Sequence, residues 1–556
     1  MGLRPLPRIA RLGLAFVPFA LGALTATGAL AQAPSQGVDP AKKSIAVNFY
    51  DEPKSLDSTK ATDQIAGMLL GHVNEGLTRL DPSNKPVPGV AESWELKSPT
   101  QYVFKLRKSA LWSDGKPVTA NDFVYAWRRT LDPKNASEYA FIMYFLKNGE
   151  KLNKGELKPE ELGAKAIDDH TLQVDLERPL EFFPRLVAFT TYMPVREAFA
   201  KQHGESFAAD ADKLLYNGPY TIESWKHNAS IKLVKNDKYW NKANINIDVI
   251  DLPYLIRDKN SEFNMFKDSK FALTWALTKD LLAEAQAAKM TIRKYNFGTV
   301  WFFQFNTTRK ITGNLNFRKA IQYAINREEF VKQIEGIPGS KPAFGVIPDY
   351  MPGLKKTYGE EYGSKHAFKE ADLAKAKEHL DMAKKELGLK EFPPITVLAS
   401  DADNVRRDLE YFQRYLKEKL GIELKLDFQT FKIRLERTTA KDFDIVNSGW
   451  GPDYLDVMTF ADLYTSWNGN NNSGWKNAKY DELISKASTM VDPKERLDTI
   501  FAAEKILVEE APIVPYFQQA RVYVQDPRLT GVLRRPIGAD PDFYYAKITS
   551  TAGAKQ

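Results

Sequence analysis

Apolar and polar positions alternate along this chain with two different periods, and the periods locate its elements. Residues 102–106 (Tyr-Val-Phe-Lys-Leu) alternate with the period two of a half-buried strand. Residues 171–176 (Thr-Leu-Gln-Val-Asp-Leu) repeat the pattern and close before Pro179. Between them, Asp122 predicts the cap of a helix that begins at Phe123 and carries Val124, Trp127 and Leu131, with Thr119 and Asn121 as rival caps. In the second half, Leu373, Ala376, Leu380, Ala383 and Leu387 fall at helical spacing, and Gly388 predicts the stop. Residues 395–399 read as a buried strand. Leu409, Phe412, Leu416 and Leu420 then line one helix face ended by Gly421, and Ile422, Leu424, Leu426 and Phe428 alternate as a strand. Strand, helix and strand in that order predict a right-handed parallel crossover. Further strands are expected at 443–448 and 513–517, with a helix through Leu497, Ile500, Phe501, Glu504 and Leu507 between them. The chain reads as α/β, its elements interspersed, with no internal repeat.

The first 31 residues follow another logic. Arg4, Arg8 and Arg11 precede an apolar run over 12–24 and then Ala29-Leu30-Ala31. That is the layout of a cleaved secretory signal, with the cut expected after Ala31. The run is short for a bilayer and holds Pro18. No cysteine follows it, so an exported, freely soluble periplasmic protein is expected rather than a lipoprotein. Residues 32–43 read as a flexible leader.

Composition narrows the chemistry. At 556 residues the chain is long enough for about three to four domains. It has 43% hydrophobic and 27% charged residues, an ordinary globular balance, and no cysteine, which excludes disulfides, Cys-ligated metals and Cys nucleophiles. Losing the three arginines of the leader takes the formal charge from +7 to +4, too weak to argue for nucleic acid. No nucleophile elbow, His-Glu-x-x-His pair, P-loop or dinucleotide fingerprint occurs. Of the six histidines, His72, His170, His203, His227, His366 and His379, none stands four residues from another, so no helical metal pair is expected. No cofactor and no enzymatic activity are expected. Asn135-Ala136-Ser137 and Asn228-Ala229-Ser230 match the glycosylation pattern, which is a chance match if the source is bacterial.

One stretch is distinctive: Pro88-Gly89-Val90-Ala91-Glu92-Ser93-Trp94, then residues 102–107, then Trp112-Ser113-Asp114-Gly115-Lys116-Pro117-Val118-Thr119-Ala120-Asn121-Asp122-Phe123. With Asn217-Gly218-Pro219-Tyr220, Phe317-Arg318-Lys319-Ala320, and Gly449-Trp450 before Asp453-Tyr454, it resembles the extracellular solute-binding protein family 5 of ABC transporters. The likeness runs over roughly residues 44–548 and is strongest to the family's periplasmic oligopeptide binders. Trp112 and Phe104 suit a core and Asp114-Gly115 a turn, so the long motif marks the fold more than the site.

The resemblance implies a two-lobed periplasmic binding protein fold, type II-like, with an extra α/β subdomain. Lobe one would hold 44–295 and the return from 520 to 556, the subdomain about 73–190, and lobe two 296–519. It implies an oligopeptide held extended between the lobes through backbone groups. It also implies a monomer that delivers its ligand to ABC permease subunits in the inner membrane. Asp453 matches the carboxylate that meets the peptide α-ammonium, and Gly449 and Gly451 would admit the ligand backbone. Without the resemblance, Asp453 reads equally as a turn residue beside Pro452 or as a helix cap. Tyr139 matches a tyrosine facing the start of the peptide. Thr62, Asp63 and Gln64 match a segment offering a backbone edge. Trp301, Phe302 and Phe303 match an aromatic strand at the cleft, Phe431 a pocket aromatic, and Trp450 a neighbour of Asp453. Trp275 stands where a small polar residue is usual and would narrow a pocket.

Where the family's peptide binders place cations for the peptide carboxylate, this chain has Asn447, Val405 and Glu335. Arg406 and Arg407 are the expected substitutes. The changed carboxyl end keeps a second reading open: the same scaffold taking a modified cell-wall peptide or a non-peptide ligand. A secreted hydrolase lacks any nucleophile or metal constellation in this sequence.

Overall fold

A computed structural model describes residues 37–549, except 181, 366, 367, 369 and 491 and the side chain of 364. The signal-peptide reading, residues 32–36 of the leader and His366 lie outside the described residues. The rest of the expected flexible leader is ordered, with Val38–Asp39 paired antiparallel to Ser44–Ala46 and Val38 buried. The described residues pack as one unit built around three main sheets.

The largest sheet has six strands in the order Lys341–Pro342, Ile513–Tyr523, Arg293–Phe305, Ile445–Trp450, Ile395–Ser400 and Leu424–Gln429. Ile395–Ser400 pairs parallel with Leu424–Gln429, and the 18-residue helix Asp403–Leu420 joins them, which is the expected crossover. That helix buries Leu409, Phe412 and Leu416 against the sheet. Each such side chain contributes about 1.5–3 kcal/mol of burial free energy. Helix Leu373–Leu387 also matches its pattern: Asp372 accepts from the Lys375 N–H at 3.0 Å, and Gly388 ends it in a left-handed conformation. Helix Pro493–Glu510 turns Leu497, Ile500, Phe501, Glu504 and Leu507 inward.

A four-stranded antiparallel sheet, Ala91–Ser98, Gln101–Leu106, Thr171–Asp175 and Ala164–Asp168, carries both period-two strands. The helix behind it runs over Ala120–Leu131 with Thr119 as its cap. Asp122 is therefore not the cap. It sits one turn in and reaches back to the Thr119 N–H at 2.8 Å and to the Trp112 indole at 3.1 Å. The long motif closes on itself as core structure. The third sheet has five strands: Val38–Asp39, Ser44–Ala46, Val249–Leu252, Ser230–Lys235 and Tyr220–Lys226.

Two long strands, Arg293–Phe305 and Ile513–Tyr523, lie side by side antiparallel. Their ladder is interrupted between Asn296 and Val300, around Gly298 at φ +85°. A Cβ on Gly298 would stand 2.4 Å from Pro536 Cβ and 2.6 Å from the Tyr350 hydroxyl. Successive side chains of Arg293–Phe305 face opposite ways. Phe302 enters one hydrophobic core and Phe303 another, on the far side of the sheet.

Candidate functional site

Residues far apart in sequence converge on Asp453. The strand Ile445–Trp450 ends three residues before it, and Pro452 is buried beside it. The Asp453 N–H donates to Thr459 Oγ1 at 3.0 Å, inside the short helix Met458–Ala461, whose cap position is Val457 and not Asp453. Tyr139, 314 residues upstream, donates its hydroxyl to Asp453 Oδ1 at 3.0 Å. Its ring stacks on Phe141 at 5.6 Å and leans on Phe189 at 5.5 Å, which fixes the direction of the hydroxyl.

The other carboxyl oxygen, Oδ2, is buried and has no hydrogen-bond partner among the described residues. Burial pushes the Asp453 carboxyl up to about 7, against the hydrogen bond from Tyr139, which favours the ion. Behind it, Asp462 Oδ1 is likewise buried and unpartnered, and burial, then the charge of Asp453, hold that carboxyl well above the usual range. The Trp450 indole N–H is also buried without an acceptor. Tyr454 stacks flat on Phe182 at 5.2 Å and edge-on to Phe145 at 6.3 Å, closing one side with aromatic surface. A buried oxygen with no donor costs about 1–3 kcal/mol. The arrangement suits a group that brings positive charge and N–H donors together, as an ammonium does.

The structure brings Tyr139 and Asp453 together, with Trp450 ending the strand that leads to Asp453, and gives several other candidates local partners of their own. Asp63 caps helix Gln64–Val73: Oδ1 accepts from the Ala66 N–H at 2.8 Å and Oδ2 from the Lys54 N–H at 3.0 Å, which occupies the side chain. Gln64 is exposed and Thr62 half-buried. Gly449 faces Trp301 across the ladder, and a Cβ there would meet Thr299 Cγ2 at 2.7 Å and the Trp301 ring at 3.0 Å. Its smallness therefore serves the protein's own packing, whereas Gly451 meets Thr299 at an ordinary 3.5 Å. Trp301 donates to Gln519 Oε1 at 3.0 Å and stacks on Phe517.

Phe303 is a core residue, packed on Phe412 and Tyr516 at 5.1 and 5.4 Å. Trp275 is also built into the core: its indole donates to the Asn48 carbonyl at 2.9 Å, its edge meets Tyr50, and buried Glu262 holds its backbone N–H. Asn447 is buried and donates to the Tyr516 hydroxyl at 2.7 Å. Arg406, the substitute expected for the missing cations, has a local partner in this structure. It is held by Asp401 at 2.6 Å, over the Phe428 ring. Arg407 is likewise spent on Asp408 at 2.9 Å and Glu335 at 3.6 Å. Burial pushes those two carboxyls up to about 6 and about 7. Phe431 is 42% exposed, with the Arg434 guanidinium 5.1 Å from its ring centre. Thr459, Asp462 and Arg434 were not singled out from the sequence. Thr459 and Asp462 stand in the mostly apolar run 457–464 and Arg434 in a charged helix, and residue type alone gives none of them a role that tertiary burial reveals.

Residues 85–472 match the middle region of the bacterial extracellular solute-binding proteins, family 5. The chain belongs to that family. Family 5 members are binding proteins rather than enzymes, and the α/β architecture is that of the oligopeptide- and murein-peptide-binding structures of the family. The dipeptide-binding protein DppE of Bacillus subtilis is 33% identical over 505 residues, covering 89% of this chain and 90% of that protein. The structure of Listeria monocytogenes OppA bound to peptide superposes with a TM-score of 0.85 at 34% identity, over 92% of this chain and 100% of that one. The Escherichia coli murein tripeptide-binding protein MppA gives 0.82 at 28% identity, over 91% and 98%. Against the unliganded open form of MppA the score falls to 0.63, over 93% and 99%. No described helix is long and apolar enough to cross a membrane, and no group of three His, Asp or Glu among the described residues is placed to hold a metal ion.

Proposed function

We propose that this family 5 protein captures short peptides between two lobes in the periplasm and hands them to an ABC permease. The observation that carries the reading is the half-answered carboxylate of Asp453. Tyr139 satisfies one oxygen, the other is buried and unpartnered, and a peptide α-ammonium supplies both the charge and the donor. DppE, OppA and MppA are named for or bound to a dipeptide, a peptide and a murein tripeptide, which supports the peptide reading. The Escherichia coli relative YgiS, 27% identical, is by contrast named as a probable deoxycholate-binding protein.

The lobes are those expected from the sequence, 44–295 with 520–556, and 296–519. The interruption at Gly298 between the two long strands falls beside the first crossing and serves as the hinge. The present arrangement is the closed one, which accounts for the lower score against an open relative. Native mass spectrometry of protein purified without denaturation tests the ligand class. Peptide masses that sequence as short chains with a free amino end are expected; co-purified species that are all non-peptide overturn the reading.

A further inference from the structure

The helix Phe431–Thr439 buries a guanidinium that the fold leaves without a counter-charge. Thr430 caps this helix, and Arg434 and Thr438, four apart, form its inward face. Arg434 is 8% exposed. Its Nη1 donates to Ser448 Oγ at 3.3 Å, while Nε is buried with no partner. No described carboxylate forms an ion pair with it, and burial alone lowers the guanidinium to about 10.

Other buried arginines are treated differently. Arg535 is paired with Asp542 at 2.6 Å and Arg534 with Asp540. Arg327, which has no ion pair either, spends its N–H groups on the carbonyls of Ala343, Pro515, Gln322 and Ile325. Arg434 has one serine hydroxyl.

The surroundings lack acceptors in the same way. Ser448 and Trp450 share a face of the strand Ile445–Trp450, and Gln304 stands across from Val446 on that face. The Trp450 indole N–H and the Gln304 amide nitrogen are both buried without an acceptor. Asn447, which alternates with Ser448, faces the other way, toward Tyr516.

We propose that Arg434, with Ser448, forms an anion subsite that takes a carboxylate of the bound peptide, either its terminal carboxylate or an acidic side chain. The guanidinium offers the planar pair of N–H groups that a carboxylate matches, and the Phe431 ring gives the adjoining residue apolar contact. Ser448 precedes Asp453 by five residues, a reach of at most about 17 Å of chain. An extended peptide advances about 3.3 Å per residue. The carboxylate therefore falls within roughly the first five residues after the ammonium. The proposal rests on the peptide reading and adds to it a preference for acidic or short ligands.

The test is calorimetry on wild type, Arg434→Met and Ser448→Ala with alanine-based peptides of two to six residues. Each peptide is used with a free carboxyl end, with an amidated end, and amidated with one Glu at successive positions. Wild type should prefer one anionic form over its neutral amide by about ten- to a hundredfold. Arg434→Met should erase that preference while binding the neutral amide as wild type does. A preference for free ends at one length assigns the terminal carboxylate, and a preference for Glu at one position assigns a side chain. Equal preference in wild type and Arg434→Met overturns the subsite, as does no preference in wild type. If Arg434→Met does not fold, the wild-type ratios and their reduction in Ser448→Ala decide. Binding of the neutral amides by wild type reports on the peptide reading separately.

Discussion

Half of the Asp453 carboxylate is answered by the protein and half is not, and the residue contributes a pH dependence of its own, beside those of Asp408, Glu335 and Asp462. A folded-state pKa of about 7 lies above the usual aspartate value near 3.9. Between those values the unfolded chain is ionised at this position while the folded, ligand-free protein holds a proton. The group therefore destabilises the fold above pH 7, and that cost fades as pH falls toward 4. Asp453→Asn removes it. Ligand-free Asp453→Asn should be more stable than wild type at pH 8, by roughly 1–3 kcal/mol, with the difference shrinking below pH 7 and gone only near pH 4. Thermal melts of the two proteins across that range check this, and a difference that does not vary with pH contradicts it. The sequence showed Asp453 and Tyr139 through the resemblance of their flanking residues. It could not show Thr459, Asp462 or Arg434, because nothing in residue type separates a buried polar group from a solvated one. Asp63 has a local role that its backbone-edge reading did not mention. An aspartate three residues before Ala66 carried a capping signal that the family likeness overshadowed.

At the scale of elements, periodicity performed well wherever one face meets a core. The helices Leu373–Leu387, Asp403–Leu420 and Pro493–Glu510 and the parallel pair between Ile395–Ser400 and Leu424–Gln429 follow their patterns closely. The two long strands were legible in part. Residues 513–517 showed as an apolar run, but Ile513–Tyr523 continues through Gln518, Gln519 and Arg521. Arg293–Phe305 opens on charged residues that pattern alone does not mark as sheet. Their extra length comes from pairing with each other, a tertiary fact. The break in that ladder yields a prediction. Gly298→Ala places a Cβ against Pro536 and Tyr350 at a positive φ. It should lower stability by about 1–3 kcal/mol in a denaturant titration and weaken peptide binding with no contact to ligand. An unchanged midpoint and affinity would remove Gly298 from the account.

For the whole molecule, the resemblance foretold the family, and the superposition on peptide-binding relatives bears out the α/β fold. Composition alone had reached no further than a large α/β protein without cysteine chemistry. The lower score against an open relative places motion between lobes at the centre of the proposal. Small-angle scattering should show the radius of gyration falling when a saturating short peptide is added to ligand-stripped protein. The same radius with and without peptide argues against a hinge.

The central claim is the pairing of Asp453 with a peptide ammonium, and a four-way calorimetric cycle tests it most directly. The arms are wild type and Asp453→Asn, each with a free and an N-acetylated peptide. Removing one partner of a buried pair costs about 3–5 kcal/mol, or two to three decades or more in affinity. The account predicts that either change alone produces this loss and that the two together lose little more, since both delete one interaction. Full affinity of Asp453→Asn for free peptide, or of wild type for the acetylated one, contradicts it.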